Sequence, residues 1–282
     1  MPELPELEAL ARGLTAATTG RTVTGVSIWQ AHALKTVEPP FDSVVGMTVR
    51  GVWRRGKLLG IDLGDLVVVI HLMQAGRLAL SKTLPKRPGR GAALAICLEG
   101  GDELRLREAA TEHRASVHLL QRAKLDQHRQ LASLGPEPIG LSPDLWKERL
   151  SSPAAQLQNA IRDGRRVAGI GRAYASDVLW AGRLAPFART DRLSDEQWAR
   201  LASAADLVLG QAVERACATI TTDLPTREAR VTMVHNHSGE PCLRCGRRLE
   251  RVSFAGYELV YCPDCQTDGK ILADRRISRL LK

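Results

Sequence analysis

The sequence predicts an α+β protein: an N-terminal β-sandwich with a flanking helix, then a helical domain, then a C-terminal four-cysteine zinc finger. Short apolar runs separated by glycine recur across roughly residues 20–122, which indicates an antiparallel sandwich or barrel. Segments with helical periodicity follow residue 143, and two CxxC pairs lie near the C-terminus. Shifts in composition place the domains at 1–132, 133–237 and 238–282.

The charge balance favours a polyanionic partner. The chain has 282 residues, with 40 Lys and Arg against 31 Asp and Glu and a formal charge of +9. Nucleic acid is the first class of partner that fits this charge, and an anionic membrane surface is the second. No apolar run is long enough to span a bilayer, and the N-terminus lacks the pattern of a signal peptide. We therefore expect a cytosolic protein with no membrane partner.

The chain opens with MPELPELEAL, which combines two prolines with three acids. Proline suits the first turn of a helix, and acids favour its positive end. Apolar residues at helical spacing predict an amphipathic helix from about Pro5 to Ala17. They are Leu7, Leu10, Ala11 and Leu14. The helix explains Pro5, but Pro2 and Glu3 precede it and need another reason.

Seven apolar runs after this helix predict the strands. They are RTVTGVSIW, GMTVRGVW, KLLGIDL, LVVVIHL, ALAICLEG, ELRLRE and ASVHLLQ. The segment SKTLPKRPGRG, at 81–91, is basic and rich in proline and glycine. It fits either a phosphate contact or a solvated hairpin connection.

Proline and glycine at 133–143 indicate a linker, and four helical segments follow it. They are LWKERL, PAAQLQNAI, AYASDVLWAGRL and SDEQWARLASAADLVLGQAVERAC. Ser194 and Gln197 form a capping-box pattern at the start of the last one. Gly169 and Gly171 precede a helix predicted to begin near Arg172, so this turn fits an anion site at a helix N-terminus. An ordinary helix–turn–helix corner is the alternative, and the turn alone favours it.

The C-terminal cysteines predict a metal site. Cys242 and Cys245 form one CxxC pair, Cys262 and Cys265 form the other, and sixteen residues separate the pairs. Two such turns joined by a hairpin bring four thiolates to one Zn²⁺, in a closed and therefore structural site. Two redox dithiols are the weaker alternative, because no βαβ pattern surrounds either pair. The arginines of this module could contact a phosphate backbone.

Six short motifs of the chain, taken in the order in which they occur, resemble those of the formamidopyrimidine-DNA glycosylase and endonuclease VIII family of base-excision repair enzymes. They are MPELPELE at the start, RRGKLL at 54–59, HLMQAGRL at 71–78, LGPEP at 134–138, VAGIGRAYASDVL at 167–179 and EPCLRCG…YCPDCQ at 240–266. The resemblance runs nearly from end to end, and MPELPE is similar to the formamidopyrimidine branch. It implies a helix–two-turn–helix in the middle domain and a DNA cleft between the sandwich and the helical domain.

The resemblance gives Pro2 and Glu3 a chemical role. Removal of Met1 leaves Pro2 with a secondary amine that titrates near pH 7.7–8.0, so a useful fraction is neutral and nucleophilic. Its attack on the sugar C1′ produces an iminium that acidifies the C2′ proton and allows strand cleavage. Glu3 would move protons. Lys57 and His71 match residues that approach the DNA backbone, although a surface lysine and a structural histidine are the ordinary readings of these two positions.

The resemblance also implies DNA contacts and shows departures from the family pattern. Base extrusion needs a wedge, and Gln74 stands where the family has methionine, with Met73 one place earlier. AATEHRAS replaces the family's DPRRFG, which leaves His113 and Arg114 as substitutes. The phosphate contacts expected in the helical domain and finger are Gly169, Gly171, Arg172, Arg251 and Tyr257. Arg172 replaces an asparagine, and Tyr257 replaces the arginine that grips the phosphate.

These departures leave two functions open. The first is a bifunctional glycosylase and abasic-site lyase, monomeric and acting on damaged double-stranded DNA. A loop at TTDLPTREARVTMV, shorter than the family's, favours oxidised pyrimidines, ring-opened purines or abasic sites over oxidised guanine. The second is a catalytically weak relative that binds abasic or distorted DNA. A zinc-ribbon transcription or RNA-binding factor would explain the charge and finger, but not MPELPE.

Overall fold

The computed structural model describes residues 1–82, 89–108, 113–225, 230–254 and 257–272. The chain forms two compact units. Unit 1 comprises Met1–Ser133 and Val213–Ala229, and unit 2 comprises Leu134–Ala212 and Arg230–Lys282. The division at 1–132, 133–237 and 238–282 stays a prediction. No helix in the described ranges has the length and apolar character that crossing a membrane requires.

Unit 1 contains two four-stranded antiparallel sheets. The strands are β1 (Val23–Ile28), β2 (Gly51–Arg55), β3 (Leu58–Asp62), β4 (Leu66–His71), β5 (Gly76–Ser81), β6 (Ala92–Leu98), β7 (Glu103–Glu108) and β8 (Ser116–Gln121). One sheet has the order β1-β6-β7-β5 and the other β2-β3-β4-β8. Short 3₁₀ helices lie at Ala31–Ala33, Phe41–Val44 and Arg122–Gln127, and a helical turn, α2, covers Arg129–Ala132. The predicted β-sandwich is confirmed.

Helix α1 (Leu4–Thr18) flanks the sandwich as predicted. Its apolar face is buried in the core of unit 1, where Leu7, Leu10 and Leu14 are no more than 1% exposed. Burying each such side chain contributes about 1.5–3 kcal/mol. Thr15 Oγ1 donates to the Val52 carbonyl (2.7 Å) and accepts from the Val52 N–H (2.9 Å), which fixes the helix against β2.

The C-terminal end of helix α6 (Asp195–Thr219) and the residues after it complete the core of unit 1. The Leu80 N–H donates to the Thr222 carbonyl (2.8 Å), so this segment extends the edge of β5. Gly13 allows α1 to approach it, since a Cβ at Gly13 would lie 1.6 Å from the Thr221 carbonyl oxygen.

Strand β5 was not among the predicted strands. A sharp turn separates it from β4: Met73 has φ of 52°, and the Gly76 N–H donates to the Leu72 carbonyl (2.8 Å). A Cβ at Gly76 would lie 2.3 Å from that oxygen, so glycine is required there. Residues 83–88 of the basic segment at 81–91 lie outside the described residues.

Unit 2 begins with helices around an apolar core. They are α3 (Pro143–Ser151), α4 (Leu157–Ala160), α5 (Arg172–Ala181), a 3₁₀ turn at Thr190–Arg192, and α6. Trp146 and Trp198 are buried in this core. The predicted capping box of α6 is confirmed: the Ser194 N–H donates to Gln197 Oε1 (2.9 Å), and the Gln197 N–H to Ser194 Oγ (3.3 Å).

The rest of unit 2 is the cysteine-rich module. An antiparallel hairpin of β9 (Glu250–Phe254) and β10 (Tyr257–Tyr261) precedes helix α7 (Pro263–Thr267). Its cysteines pack with Trp180 of α5 and with Val234, Leu249 and Val260 in a small apolar cluster. The hairpin and this cluster fit the zinc finger predicted from the sequence.

Candidate functional site

The start of α1 holds Pro2 and Glu3 in a buried position. Both residues are buried, and Glu3 is the N-cap of the helix. A capping box joins Glu3 to Glu6, in which the Glu3 N–H donates to Glu6 Oε2 (2.7 Å). The cap fixes the backbone on which Glu3 and Pro2 sit, and so it pre-orders these two residues.

Lys57 occupies a two-residue hairpin turn between β2 and β3. Arg55 pairs with Leu58, and Gly56 has φ of 57°, a conformation that glycine adopts without strain. Lys57 is half-buried in this turn.

Glu8 and Arg54 connect the turn to α1. Arg54 Nε donates to Glu8 Oε2 (2.9 Å), and its Nη1 donates to the Gly56 carbonyl (3.1 Å). Arg12 Nε also donates to Glu8, at Oε1 (2.9 Å). Burial raises the pKa of Glu8, but these hydrogen bonds outweigh it and lower the pKa below its ordinary value. The carboxylate therefore links the first helix to the Lys57 turn.

His71 lies beside that turn at the end of β4, where it pairs with Leu58. Burial, and then the charge of Lys57, lower the pKa of His71 to about 4. His71 Nδ1 accepts from the Met73 N–H (3.0 Å), so the neutral ring carries its proton on Nε2. The structure thus places Lys57 and His71 together in unit 1.

The turn after His71 presents Gln74. Gln74 is exposed and Met73 is half-buried. Arg77 Nη1 donates to the Gln74 carbonyl (3.1 Å), while its Nε donates to the Pro225 carbonyl (2.7 Å). Arg114 is also exposed, and its N–H donates to Glu108 Oε1 (2.6 Å). Residues 109–112 of the AATEHRAS segment lie outside the described residues, and the wedge role of Gln74 and Arg114 stays a prediction.

The glycine turn of unit 2 leads into α5 as predicted. Gly169 has φ of 90°, Gly171 is the N-cap, and the helix begins at Arg172, whose side chain is exposed. His235 lies near this end of the helix. Burial, and then the charges of Arg230, His237 and Arg172, lower the pKa of His235 to about 4. Cationic side chains thus lie near the N-terminal end of α5, where the helix dipole is positive, and this arrangement favours binding of an anion.

Asp177 is a positioning residue that the sequence patterns did not reveal. Its carboxylate is 1% exposed and accepts from three successive backbone N–H groups: Met233 (2.8 Å), Val234 (3.0 Å) and His235 (3.2 Å). Burial raises the pKa of Asp177, and these amides oppose the rise. The residue fixes the 233–235 loop against α5. An acidic residue on the buried face of an amphipathic helix was the available signal.

The four predicted cysteines form one cluster. All four Sγ atoms lie within 4.8 Å of one another, including 3.9 Å for Cys242–Cys265, 3.4 Å for Cys245–Cys262 and 3.5 Å for Cys245–Cys265. Tetrahedral Zn²⁺ with bonds of about 2.3 Å needs sulfurs about 3.8 Å apart, so the cluster fits the ion. Trp180 Nε1–H donates to Cys242 Sγ (3.3 Å), as expected for a charged thiolate ligand. The site holds a structural Zn²⁺.

The finger arginines have partners within unit 2. Arg244 stacks on the Trp180 ring, 4.2 Å from its centroid, and donates to the Trp180 carbonyl at the end of α5 (3.0 Å). Arg251 pairs with Glu258 (2.9 Å). The backbone of Tyr257 pairs with Phe254 at the tip of the hairpin. The Tyr257 side chain lies outside the described part, and DNA contacts by Arg251 and Tyr257 stay predictions.

Three family models match successive parts of the chain. The formamidopyrimidine-DNA glycosylase N-terminal domain matches residues 1–113, and the H2TH domain of the same enzymes matches residues 134–223. A zinc finger found in FPG and IleRS matches residues 239–267.

Curated relatives match over nearly the whole chain. The formamidopyrimidine-DNA glycosylase of Geobacillus kaustophilus is 32% identical over 277 residues, which are 94% of this chain and 100% of the relative. That of Geobacter sulfurreducens is 31% identical with the same coverage. That of Chloroflexus aurantiacus is 32% identical and covers 94% of this chain and 98% of its own length.

Solved structures share the fold. A Lactococcus lactis FPG variant in complex with Fapy-dG-containing DNA has a TM-score of 0.85, with 24% identity over 94% of this chain and 100% of that chain. The Lactococcus lactis enzyme bound noncovalently to DNA with an abasic site has a TM-score of 0.83, with 23% identity over 94% and 99%.

Proposed function

The chain belongs to the formamidopyrimidine-DNA glycosylase family, and we propose that this DNA glycosylase uses the amine of Pro2 to excise a damaged base and then to cleave the strand. The observation that carries the proposal is the capped start of α1, where Pro2 and Glu3 are buried and pre-ordered. Helix capping alone does not need a proline before the N-cap, whereas an N-terminal nucleophile that leaves a permanently charged iminium needs the secondary amine that proline provides.

The excision step follows from the amine of Pro2 once Met1 is removed. The nitrogen lone pair forms a bond to C1′, and the glycosidic bond breaks with its electron pair going to the base. The nitrogen loses its proton, the sugar ring opens with O4′ taking a proton, and a C1′–nitrogen iminium remains. Glu3, the carboxylate next to Pro2, would supply and remove these protons. A secondary amine cannot lose a further proton to become a neutral imine, so the cation persists.

The lyase step uses that cation as an electron sink. Loss of the C2′ proton sends its bonding electrons towards the iminium, and the 3′ phosphate leaves from C3′ with the electrons of its own bond. Water then hydrolyses the iminium and returns the amine. Lys57, in the hairpin turn beside the neutral His71, would contact the sugar or phosphate. We propose oxidised pyrimidines and ring-opened purines as the excised bases.

Damaged double-stranded DNA is the proposed partner, and a monomer is the proposed form. The cationic N-terminus of α5, with Gly169, Gly171 and Arg172, would hold a phosphate. Gln74 and Arg114 would face the gap left by the extruded base, and Arg251 and Tyr257 would lie along the backbone. This substrate would place the protein with the chromosome in a bacterial-type cytosol.

A catalytically weak relative that binds abasic DNA is the second candidate. The observation in its favour is the finger, where Arg251 is paired with Glu258 and Tyr257 replaces the expected arginine. Glu3→Gln distinguishes the two functions when excision and DNA affinity are measured separately. If the glycosylase proposal holds, excision by the variant falls by at least about 100-fold while its affinity for abasic DNA stays within twofold. Unchanged excision would remove Glu3 from the mechanism.

A further inference from the structure

Three side chains converge at the end of β7 in unit 1, far from the cysteine cluster in sequence. His32 comes from the 3₁₀ helix Ala31–Ala33, Glu108 is the last residue of β7, and His113 follows five residues later. Glu108 Oε2 lies 3.4 Å from His113 Nδ1 and 3.9 Å from His32 Nε2. The three ligand atoms all lie within 4.8 Å of one another.

Glu108 is buried with one oxygen satisfied and the other not. Its side chain is 1% exposed, and Oε1 accepts from the Arg114 N–H (2.6 Å) and the Ala115 N–H (2.7 Å). Oε2 has no hydrogen-bond partner among the described residues. A buried carboxylate oxygen without a donor costs free energy, so an unpaired oxygen aimed at two imidazoles calls for a cation.

We propose that His32, Glu108 and His113 bind a divalent transition metal, with Zn²⁺ as the best match. Two imidazoles and one carboxylate are ligands that Zn²⁺ accepts, whereas Mg²⁺ and Ca²⁺ prefer oxygen alone. Bonds of about 2.05 Å in a tetrahedral site need ligand atoms about 3.3 Å apart. The Glu108–His113 distance already fits. The distance from His32 Nε2 to Glu108 Oε2 is about half an ångström too long. The His32 side chain is 52% exposed, so it has room to move by that amount.

Gln30 holds the third ligand in place without the metal. His113 Nδ1 lies 2.8 Å from Gln30 Oε1, and the rings of His32 and His113 meet edge to face with centroids 5.9 Å apart. Metal binding at Nδ1 requires this hydrogen bond to break. The competing arrangement is a simple ion pair of Glu108 with His113 or His32, which needs no metal.

The metal would cross-link two separate parts of unit 1. It would tie the 3₁₀ helix Ala31–Ala33 to residues 108 and 113, which flank the segment where the family's wedge loop is expected. The cluster contains neither Pro2 nor Glu3, and its zinc content is measured without DNA, so the result does not depend on the Pro2 chemistry.

The test is the zinc content of the purified full chain after equilibrium dialysis against low-micromolar Zn²⁺. We expect two equivalents per chain, one in the cysteine cluster and one in the new site. His32→Gln combined with His113→Gln lowers the content to one. Glu108→Gln gives the same loss, and the histidine variants keep the test valid if this buried substitution impairs folding.

The matched control is a second histidine pair in the same unit. The rings of His118 and His128 lie 4.5 Å apart, but no carboxylate joins them in any cluster of potential ligands within the described residues. His118→Gln combined with His128→Gln keeps two equivalents. One equivalent in the wild-type chain would overturn the proposal, and so would two equivalents retained by the His32 and His113 double variant.

Cobalt substitution identifies which site each metal occupies. Co²⁺ in the cysteine cluster gives a thiolate charge-transfer band, whereas Co²⁺ bound by nitrogen and oxygen gives only weak ligand-field bands. The second equivalent should add ligand-field absorption without the thiolate band, and the His32 and His113 double variant should lose that addition. A second equivalent with equal thiolate absorption would place the metal at cysteines and contradict the assignment.

Discussion

Replacement of Arg54 by methionine removes the contact that holds the Lys57 turn against the first helix. Arg54 and Arg12 both donate to Glu8 at 2.9 Å, one to each carboxylate oxygen. The two bonds differ in burial: the Arg54 side chain is 9% exposed and the Arg12 side chain 64%. Arg12→Met is therefore a matched control with the same partner and the same distance.

The two substitutions should differ severalfold in cost. A buried charge-assisted hydrogen bond contributes about 1.5–3 kcal/mol, and the bond to the Gly56 carbonyl adds about 1 kcal/mol. Arg54→Met should thus lower the free energy of unfolding by about 3 kcal/mol. An exposed ion pair is screened by water and contributes less than about 1 kcal/mol, so Arg12→Met should lower it by no more than that.

Urea unfolding of the two variants measures the difference directly. The Glu8→Gln, Arg54→Met double variant completes a thermodynamic cycle that isolates the coupling between these side chains. The folded pKa of Glu8 lies below its ordinary value of 4.5, so its ionised form stabilises the fold above that pH. The stabilisation is lost as the pH falls below 4.5 through the folded pKa, and the gap between wild type and Arg54→Met should narrow there. Equal losses of unfolding free energy in Arg54→Met and Arg12→Met at neutral pH would show that burial does not strengthen the Arg54–Glu8 bond.

Three further predictions concern other parts of the molecule. The pKa of His71 falls from 6.5 to about 4 on folding, so its contribution to stability is full above pH 6.5 and is lost as the pH falls towards 4. His71→Asn should therefore flatten the acid limb of a plot of unfolding free energy against pH. An unchanged acid limb would contradict the lowering of this pKa by burial. Trp180→Phe removes the N–H donor to Cys242 and should weaken zinc retention against a chelator about 10–100-fold. The control Trp198→Phe, in the helical core, should leave zinc retention unchanged. Equal zinc retention by both variants would show that the Trp180 N–H does not stabilise the bound metal. Gly13→Ala places a Cβ 1.6 Å from the Thr221 carbonyl oxygen and should destabilise the chain by more than about 3 kcal/mol in thermal unfolding. Gly210→Ala, whose Cβ would have nothing within 4 Å, should stabilise α6 by about 0.5–1 kcal/mol. Unchanged stability of Gly13→Ala would contradict the close approach of α1 to Thr221.

Sequence patterns predicted the features that depend on residues close together in the chain. The apolar spacing of α1, the start of α5 at Arg172 and the Ser194–Gln197 box each depend on residues within one or two turns of each other. The cysteine cluster was predictable because each CxxC pair presets half of the ligand set. The short motifs that resemble the family are of the same kind, since each occupies a continuous stretch of the chain.

Contacts between distant residues were not predictable from the sequence. Glu8 and Arg54 are 46 residues apart, and Asp177 and Val234 are 57 apart. His113 and Gln30 are 83 apart, so no spacing rule connects them with Glu108. Strand β5 was missed for a related reason: its start depends on the turn at Met73 and Gly76, and its edge is paired with residue 222.

Borohydride trapping on duplex DNA with an abasic site shows whether the amine of Pro2 attacks the sugar. Borohydride reduces the iminium to a stable covalent adduct, and peptide mapping locates the adduct in the protein. We expect an adduct at Pro2 in the methionine-processed chain, and its loss in a chain whose N-terminal tag blocks the Pro2 amine. An adduct at a lysine, or no adduct despite salt-sensitive binding of the same DNA, would contradict it, and the second result would favour the DNA-binding alternative.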